Sequence, residues 1–217
     1  ADGSSMAPLA RYLMLAYTAR TGGTDPDWAP LPVQYADYAL WQRRLLGDPD
    51  DPTSLAAAQL RFWRDTLADA PELLPLPTDR PRPTQRSFHG ALHRFTVPAD
   101  VQRRLEALAA EHDTTMFMAV HAAFAALLAR LTGTSDIVIG SPVAGRGHRA
   151  LDDLVGMFVN TVVLRARVDD DEPFTALLDR IRTGDLTAFG HTDVPFERLV
   201  EVLDPPRSTA YTPLFQV

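Results

Sequence analysis

Gly156-Met157-Phe158-Val159-Asn160-Thr161 runs directly into Val162-Val163-Leu164-Arg165-Ala166-Arg167-Val168, and the reading of this stretch decides the fold. Phe158–Val168 reads as a strand, dense in β-branched residues and alternating late around Val163, Arg165 and Arg167. Asn160 sits inside it, where strand propensity disfavours asparagine. Its amide therefore needs partners, because an unsatisfied buried polar group costs about 1–3 kcal/mol. Two further blocks follow in order: His191-Thr192-Asp193-Val194-Pro195-Phe196-Glu197-Arg198-Leu199 and Pro213-Leu214-Phe215-Gln216-Val217. No elementary rule of folding requires three such blocks at these spacings.

Outward from this stretch, strand and helix signals are mixed. Ile137-Val138-Ile139, bounded by Asp136 and Gly140-Ser141-Pro142, reads as an internal strand. Residues 174–189 form an amphipathic helix over Phe174, Leu177, Leu178, Ile181 and Leu186. Pro195 stands near the start of a short helix, Phe196–Leu203. Thr114 or Thr115 opens Met116–Leu131, apolar on nearly every side and expected to be buried, and Gly133 closes it. Asp100 caps a helix over Val101, Leu105 and Leu108, and Ala91–Val97 alternates like a strand. Earlier, residues 6–20, Val33–Leu46 and Leu55–Leu67 carry helical periodicity. Pro71, Pro75, Pro77, Pro81 and Pro83 mark an extended, semi-rigid connector. The spacing predicts an α/β fold with a mixed sheet flanked by helices.

Composition excludes several classes. The 217 residues suffice for a sizeable core. A net charge of −7 argues against nucleic-acid binding, which calls for a basic face. No run of apolar residues is long enough for a membrane span, and Ala1-Asp2-Gly3-Ser4-Ser5 lacks a signal-peptide layout; a cytoplasmic location fits both. The absence of Cys removes disulfides and thiolate metal sites. All 21 cationic residues are Arg, so no lysine Schiff base or P-loop lysine exists.

The residues also suggest chemistry that does not survive inspection. His191 and Asp193 invite a triad with Ser141 or Ser208, but Gly-x-Ser-x-Gly is missing. His89 and His93, on an expected strand, would stand about 13 Å apart, too far to share a metal. Asp169-Asp170-Asp171-Glu172 lacks the alternation of a calcium loop and reads as a solvated turn. No metal ligand set is expected.

Taken together, the three blocks, the turn Gly140-Ser141-Pro142-Val143-Ala144-Gly145-Arg146, the helix block Tyr35-Ala36-Asp37-Tyr38-Ala39-Leu40-Trp41 and the pair Asp2-Gly3 resemble the condensation domains of nonribosomal peptide synthetases. The likeness covers the whole chain, and its detail is most similar to the subclass that joins an L-configured donor to an L-configured acceptor. Ser4, Thr192, Ser208 and Thr212 depart from the family's usual Trp, Gln, Asp and Asn. The resemblance implies a two-lobed, chloramphenicol-acetyltransferase-like fold. Residues 1–70 would end the N-terminal lobe, 71–87 would be the connector, and 88–217 would form much of the C-terminal lobe. Further chain would precede Asp2 and follow Val217.

The implied activity is amide-bond formation between a donor acyl thioester and an acceptor aminoacyl thioester. Both are carried on 4′-phosphopantetheine arms of upstream and downstream peptidyl carrier domains, with an adenylation domain adjacent and no cofactor bound by the domain itself. The family's histidine pair would lie immediately upstream of residue 1, leaving no catalytic residue in 1–217. Asp2 would pair with Arg146 to fix the histidine-bearing loop. Gly3, Ser5, Phe158 and Asn160 would lie along the substrate channel, with Asn160 equally readable as a satisfied structural amide. His191–Leu199 would be architectural. An epimerising, cyclising or carrier-independent relative of the same fold would share most of these residues, as would a non-catalytic docking or recruitment domain.

Overall fold

The computed structural model describes residues 1–217. A 3-10 turn, Gly3–Ser5, opens the chain and leads into α1 (Met6–Thr21), α2 (Tyr35–Leu46) and α3 (Leu55–Thr66). The Pro-rich stretch that follows has no regular structure. Then come α4 (Ala99–Glu111), α5 (Met116–Thr132), β1 (Asp136–Val143), a second 3-10 turn (Arg149–Leu151), β2 (Asn160–Arg167), α6 (Phe174–Phe189) and α7 (Phe196–Leu203). The helices and both strands fall where the periodicity predicts them. β1 and β2 pair in a two-stranded sheet.

Two compact units interleave along the sequence: residues 1–61, 142–161 and 192–196 in the first, and 62–141, 162–191 and 197–217 in the second. The second unit holds the larger core. On α5, Ala119, Ala122 and Ala125 are fully buried, and their small side chains admit Leu177, Leu178 and Ile181 of α6. Thr115 starts α5 by accepting the Met118 N–H at 3.2 Å, one of the donors a helix leaves unpaired in its first turn. Gly133 ends it in the left-handed conformation at φ +68°. One polar pair lies inside this core, His121 Nδ1 at 3.0 Å from Asp185 Oδ2.

Arg165 of β2 ties the second unit together. Its Nε and Nη2 donate to the two carboxylate oxygens of Asp136 at 2.9 and 2.6 Å. Its Nη1 donates to the carbonyls of Thr66 and Ala68, at 2.8 and 2.6 Å, where α3 leaves carbonyls unpaired. The strand arginine thus closes the end of a helix far from it in sequence.

Three expectations need correction. α5 is not buried all round: Phe117, Val120, Phe124, Leu127 and Leu131 are exposed on the face opposite the alanines. Asp100 does not cap α4: the helix starts at Ala99 after Pro98 with no side-chain cap, and Asp100 lies inside its first turn. Ala91–Val97 alternates but forms no strand, because a strand exists through ladder pairing and neither β1 nor β2 pairs with it. Leu92 and Phe95 stand exposed there.

Candidate functional site

The first unit is organised around Asp2. Its side chain caps the opening 3-10 turn, with Oδ1 accepting the Ser5 N–H at 2.9 Å and the Ser5 hydroxyl at 2.7 Å. Oδ2 accepts the Phe158 N–H at 3.0 Å, 156 residues away in sequence. Arg146 Nη2 donates to Oδ1 at 3.1 Å. The pair is buried, with the Asp2 side chain 1% and the Arg146 side chain 8% exposed. Burial alone would raise the carboxyl's pKa. The bonds from the Ser5 hydroxyl, the Phe158 N–H, Arg146 and the Ser5 N–H outweigh that and hold Asp2 well below the usual carboxylate range. A carboxylate so held has no proton to lend at neutral pH and no free face to offer a substrate. Its chemistry is support.

Arg146 is fixed from three sides. Its Nη1 donates to the Leu151 carbonyl and, at 3.1 Å, to that of Leu154. Its Nη2 also donates to Ser5 Oγ at 2.9 Å. The guanidinium lies 4.1 Å from the centre of the Phe158 ring, a cation–π contact. Gly145, just before it, has φ +64°, and a Cβ built there would fall on the Phe158 carbonyl. Glycine is thus required both by conformation and by the close approach of two backbones.

The backbone of 156–158 receives the opening turn. The Asp2 N–H donates to the Gly156 carbonyl at 2.9 Å, and the Gly156 N–H donates to Ser5 Oγ at 3.1 Å. Helix α2 closes over this segment. The Tyr35 hydroxyl donates to the Met157 carbonyl at 2.7 Å, and its ring occupies the space a side chain on Gly156 would need. Tyr35 and Tyr38 flank Phe158 at ring distances of 5.3 and 4.8 Å. Phe158 joins Leu151 and Leu154 in a small core against Leu31, Val33 and Tyr38. The aromatic block of α2 therefore clamps the Gly156–Phe158 segment.

Asn160 satisfies its amide completely. Nδ2 donates to the carbonyls of Thr192 and Val194, both at 2.8 Å. Oδ1 accepts the N–H groups of Thr161 and Phe196, both at 2.9 Å. Gln59 grips the same loop: its Oε1 accepts the N–H groups of Asp193 and Val194 at 3.1 and 3.0 Å. Its Nε2 donates to Asp193 Oδ2 at 2.6 Å. His191 belongs to the second unit. There its ring stacks on Phe62 at 3.8 Å, its Nδ1 donates to the Thr187 carbonyl at 2.7 Å, and its own carbonyl accepts Trp63 Nε1–H at 2.9 Å. This is a packed histidine, with both ring face and Nδ1 committed to its own unit.

The structure thus brings Asp2, Ser5, Arg146 and Phe158 together and places Asn160 on the neighbouring loop joint. Ser5 is fully buried and points into the Asp2–Arg146 cluster. A Cβ on Gly3 would meet nothing within 4 Å. Gln59, Gly156 and Arg165 are the structurally decisive residues that sequence reasoning missed. Gln59 is a lone polar residue on the inner face of α3, only 1% exposed. A glutamine at a position the helical period assigns to the core is the signal that could have found it.

No single helix is long and apolar enough to cross a membrane. A dimodular nonribosomal peptide synthase of Bacillus subtilis is 52% identical over 216 residues, all of this chain and 9% of that protein. An isonitrile lipopeptide synthase of Mycobacterium tuberculosis is 50% identical over 217 residues, again 9% of its length. The chain therefore spans less than a tenth of these synthetases. The X-domain from teicoplanin biosynthesis superposes with a TM-score of 0.93 at 34% identity, covering 100% of this chain and 48% of that one. The same domain has also been solved in a complex with OxyB. The fold is accordingly the α/β chloramphenicol-acetyltransferase-like one. The condensation-domain family model matches residues 1–217, and with the Asp2–Arg146 cluster in place the chain belongs to the condensation domains of nonribosomal peptide synthetases.

Proposed function

We propose that this chain is part of a domain that forms an amide bond between a donor acyl or peptidyl thioester and an acceptor aminoacyl thioester. Both arrive on 4′-phosphopantetheine arms of peptidyl carrier domains, beside an adenylation domain. The acceptor amine attacks the donor carbonyl carbon. The C–N bond forms, the C–S bond breaks, and the proton lost by the amine ends on the released thiol. The observation that carries the reading is the Asp2 cluster. A buried ion pair, a serine and two backbone segments converge to hold one turn, and none of them is free to react. Such an arrangement serves a neighbour. By the family resemblance that neighbour would be a histidine beside the attacking amine, a few residues before Asp2. Oriented imidazole there acts through proximity and proton handling. The L-donor, L-acceptor subclass, a cytoplasmic setting and a product of secondary metabolism belong to the same proposal.

The test uses the intact synthetase module containing this segment, with donor and acceptor carriers loaded with matched substrates. Peptide should appear on the acceptor carrier. A module whose residues before Asp2 hold the histidine pair, but which makes no peptide from matched carriers, would overturn the reading. One observation favours a second reading: the likeness to the teicoplanin X-domain, solved with OxyB bound. On this reading the chain is a non-catalytic recruitment domain that keeps the fold and has lost the histidine pair. In that case the module would bind a partner enzyme and form no peptide.

A further inference from the structure

We infer that Ser5 is a positioning residue of this site, acting through Asp2, Arg146 and the Gly156 backbone, and does not touch substrate. The inference rests on the condensation reading for its kinetic part only. Four groups lie within hydrogen-bond distance of Ser5 Oγ: Asp2 Oδ1 at 2.7 Å, the Gly156 carbonyl at 2.8 Å, Arg146 Nη2 at 2.9 Å and the Gly156 N–H at 3.1 Å. A hydroxyl has one proton to give and two lone pairs. Arg146 and the Gly156 N–H fill both lone pairs. The proton then has two acceptors, and the ionised Asp2 oxygen is the stronger, giving a charge-assisted bond. Every valence is spent inside the protein, and the side chain is fully buried. No capacity remains for a substrate atom.

The placement has a consequence for geometry. Asp2 and Arg146 share only one direct bond, at 3.1 Å. Ser5 supplies the second route between them, bonded to each, and it alone of the three side chains also bonds Gly156, whose N–H it accepts. Asp2 reaches Gly156 through its own N–H as well. Ser5 thereby sets the position of the turn against the 156–158 backbone, while the Asp2–Arg146 pair supplies the charge. The chain leaving Asp2 toward its N-terminus departs from this joint, so the joint sets its direction.

The experiment compares wild type, S5A and S5T in the intact synthetase module. Two quantities are read: steady-state kcat and carrier KM values for peptide formation, and amide hydrogen exchange of peptides covering Ser5 and Gly156–Phe158. S5A should lower kcat at least tenfold with carrier KM values within twofold of wild type. It should also speed exchange at Gly156 about tenfold or more. S5T, which keeps the hydroxyl, should recover most of both. A rise in acceptor KM or altered acceptor selectivity, with Gly156 exchange unchanged in S5A, would show a substrate contact and overturn the inference. Should the wild-type module form no peptide, the exchange measurements still decide the role of Ser5. A failed condensation reading and a failed Ser5 assignment are therefore distinguishable.

Discussion

Each compact unit contains one buried arginine paired with an aspartate, and the two pairs are built differently. In the second unit, Arg165 meets Asp136 through two parallel bonds and spends its remaining nitrogen on two carbonyls at the end of α3. Its carboxylate partner is 24% exposed. The guanidinium beside Asp136 is in turn held even more firmly in its charged form. In the first unit, Arg146 shares a single bond with Asp2, donates also to Ser5 Oγ and to the Leu151 and Leu154 carbonyls, leans on Phe158, and leaves its Nε buried without a partner. Its aspartate is nearly sealed and receives three other hydrogen bonds. In one pair the arginine is the hub and the acid is an accessory. In the other both partners are hubs, each making four side-chain hydrogen bonds. The difference between the pairs lies in the acid, buried and four-bonded at Asp2, partly solvated at Asp136.

The contrast sets the order of expected losses in urea denaturation. The largest belongs to Asp2→Ala, which strands the Arg146 charge and two N–H groups; breaking a buried pair from one side costs about 3–5 kcal/mol. Arg165→Ala comes next, at about 2–3 kcal/mol, because Asp136 can rehydrate while the α3 carbonyls lose their donor. Asp136→Ala should cost about 1 kcal/mol, since Arg165 keeps its carbonyls and the lost partner was partly solvated. Finding Asp136→Ala as costly as Asp2→Ala would erase the distinction between an accessory acid and a hub acid.

The contribution of Asp2 also depends on acidity. The folded-state pKa of Asp2 is depressed, so its contribution is complete above the unfolded carboxyl value of about 3.9 and is lost as pH falls from there toward the folded value. Stability of the first unit should therefore decline below about pH 4, and Asp2→Asn should flatten that decline. An unchanged acid limb in Asp2→Asn would mean another carboxylate governs it.

Much of this was legible in the sequence, and what was missed has physical causes. Helix periods announce α1 through α7, because each depends on residues within a few turns of one another. Asp2 and Arg146 are readable through motif likeness, although 144 residues separate them. Arg165 reads only as the polar step of an alternating strand. Its significance depends on α3 ending beside it, which no local pattern encodes. Gln59 is hidden for the same reason: its partners are backbone atoms at 193 and 194. Ala91–Val97 errs in the opposite direction. Alternation is a property of one segment, while a strand needs two. The uniform apolarity of α5 likewise says that the helix has a core face without saying that every face is core.

Asn160 has a consequence of another kind. Its four bonds go to the carbonyls of residues 192 and 194 and the N–H groups of 161 and 196. All four partners are atoms common to every residue, apart from proline's missing N–H. The joint therefore reads the path of the loop and ignores its lettering. Thr192, where the family usually has glutamine, does not alter the carbonyl that Asn160 holds. A loop anchored in this way can exchange side chains over generations and keep its course.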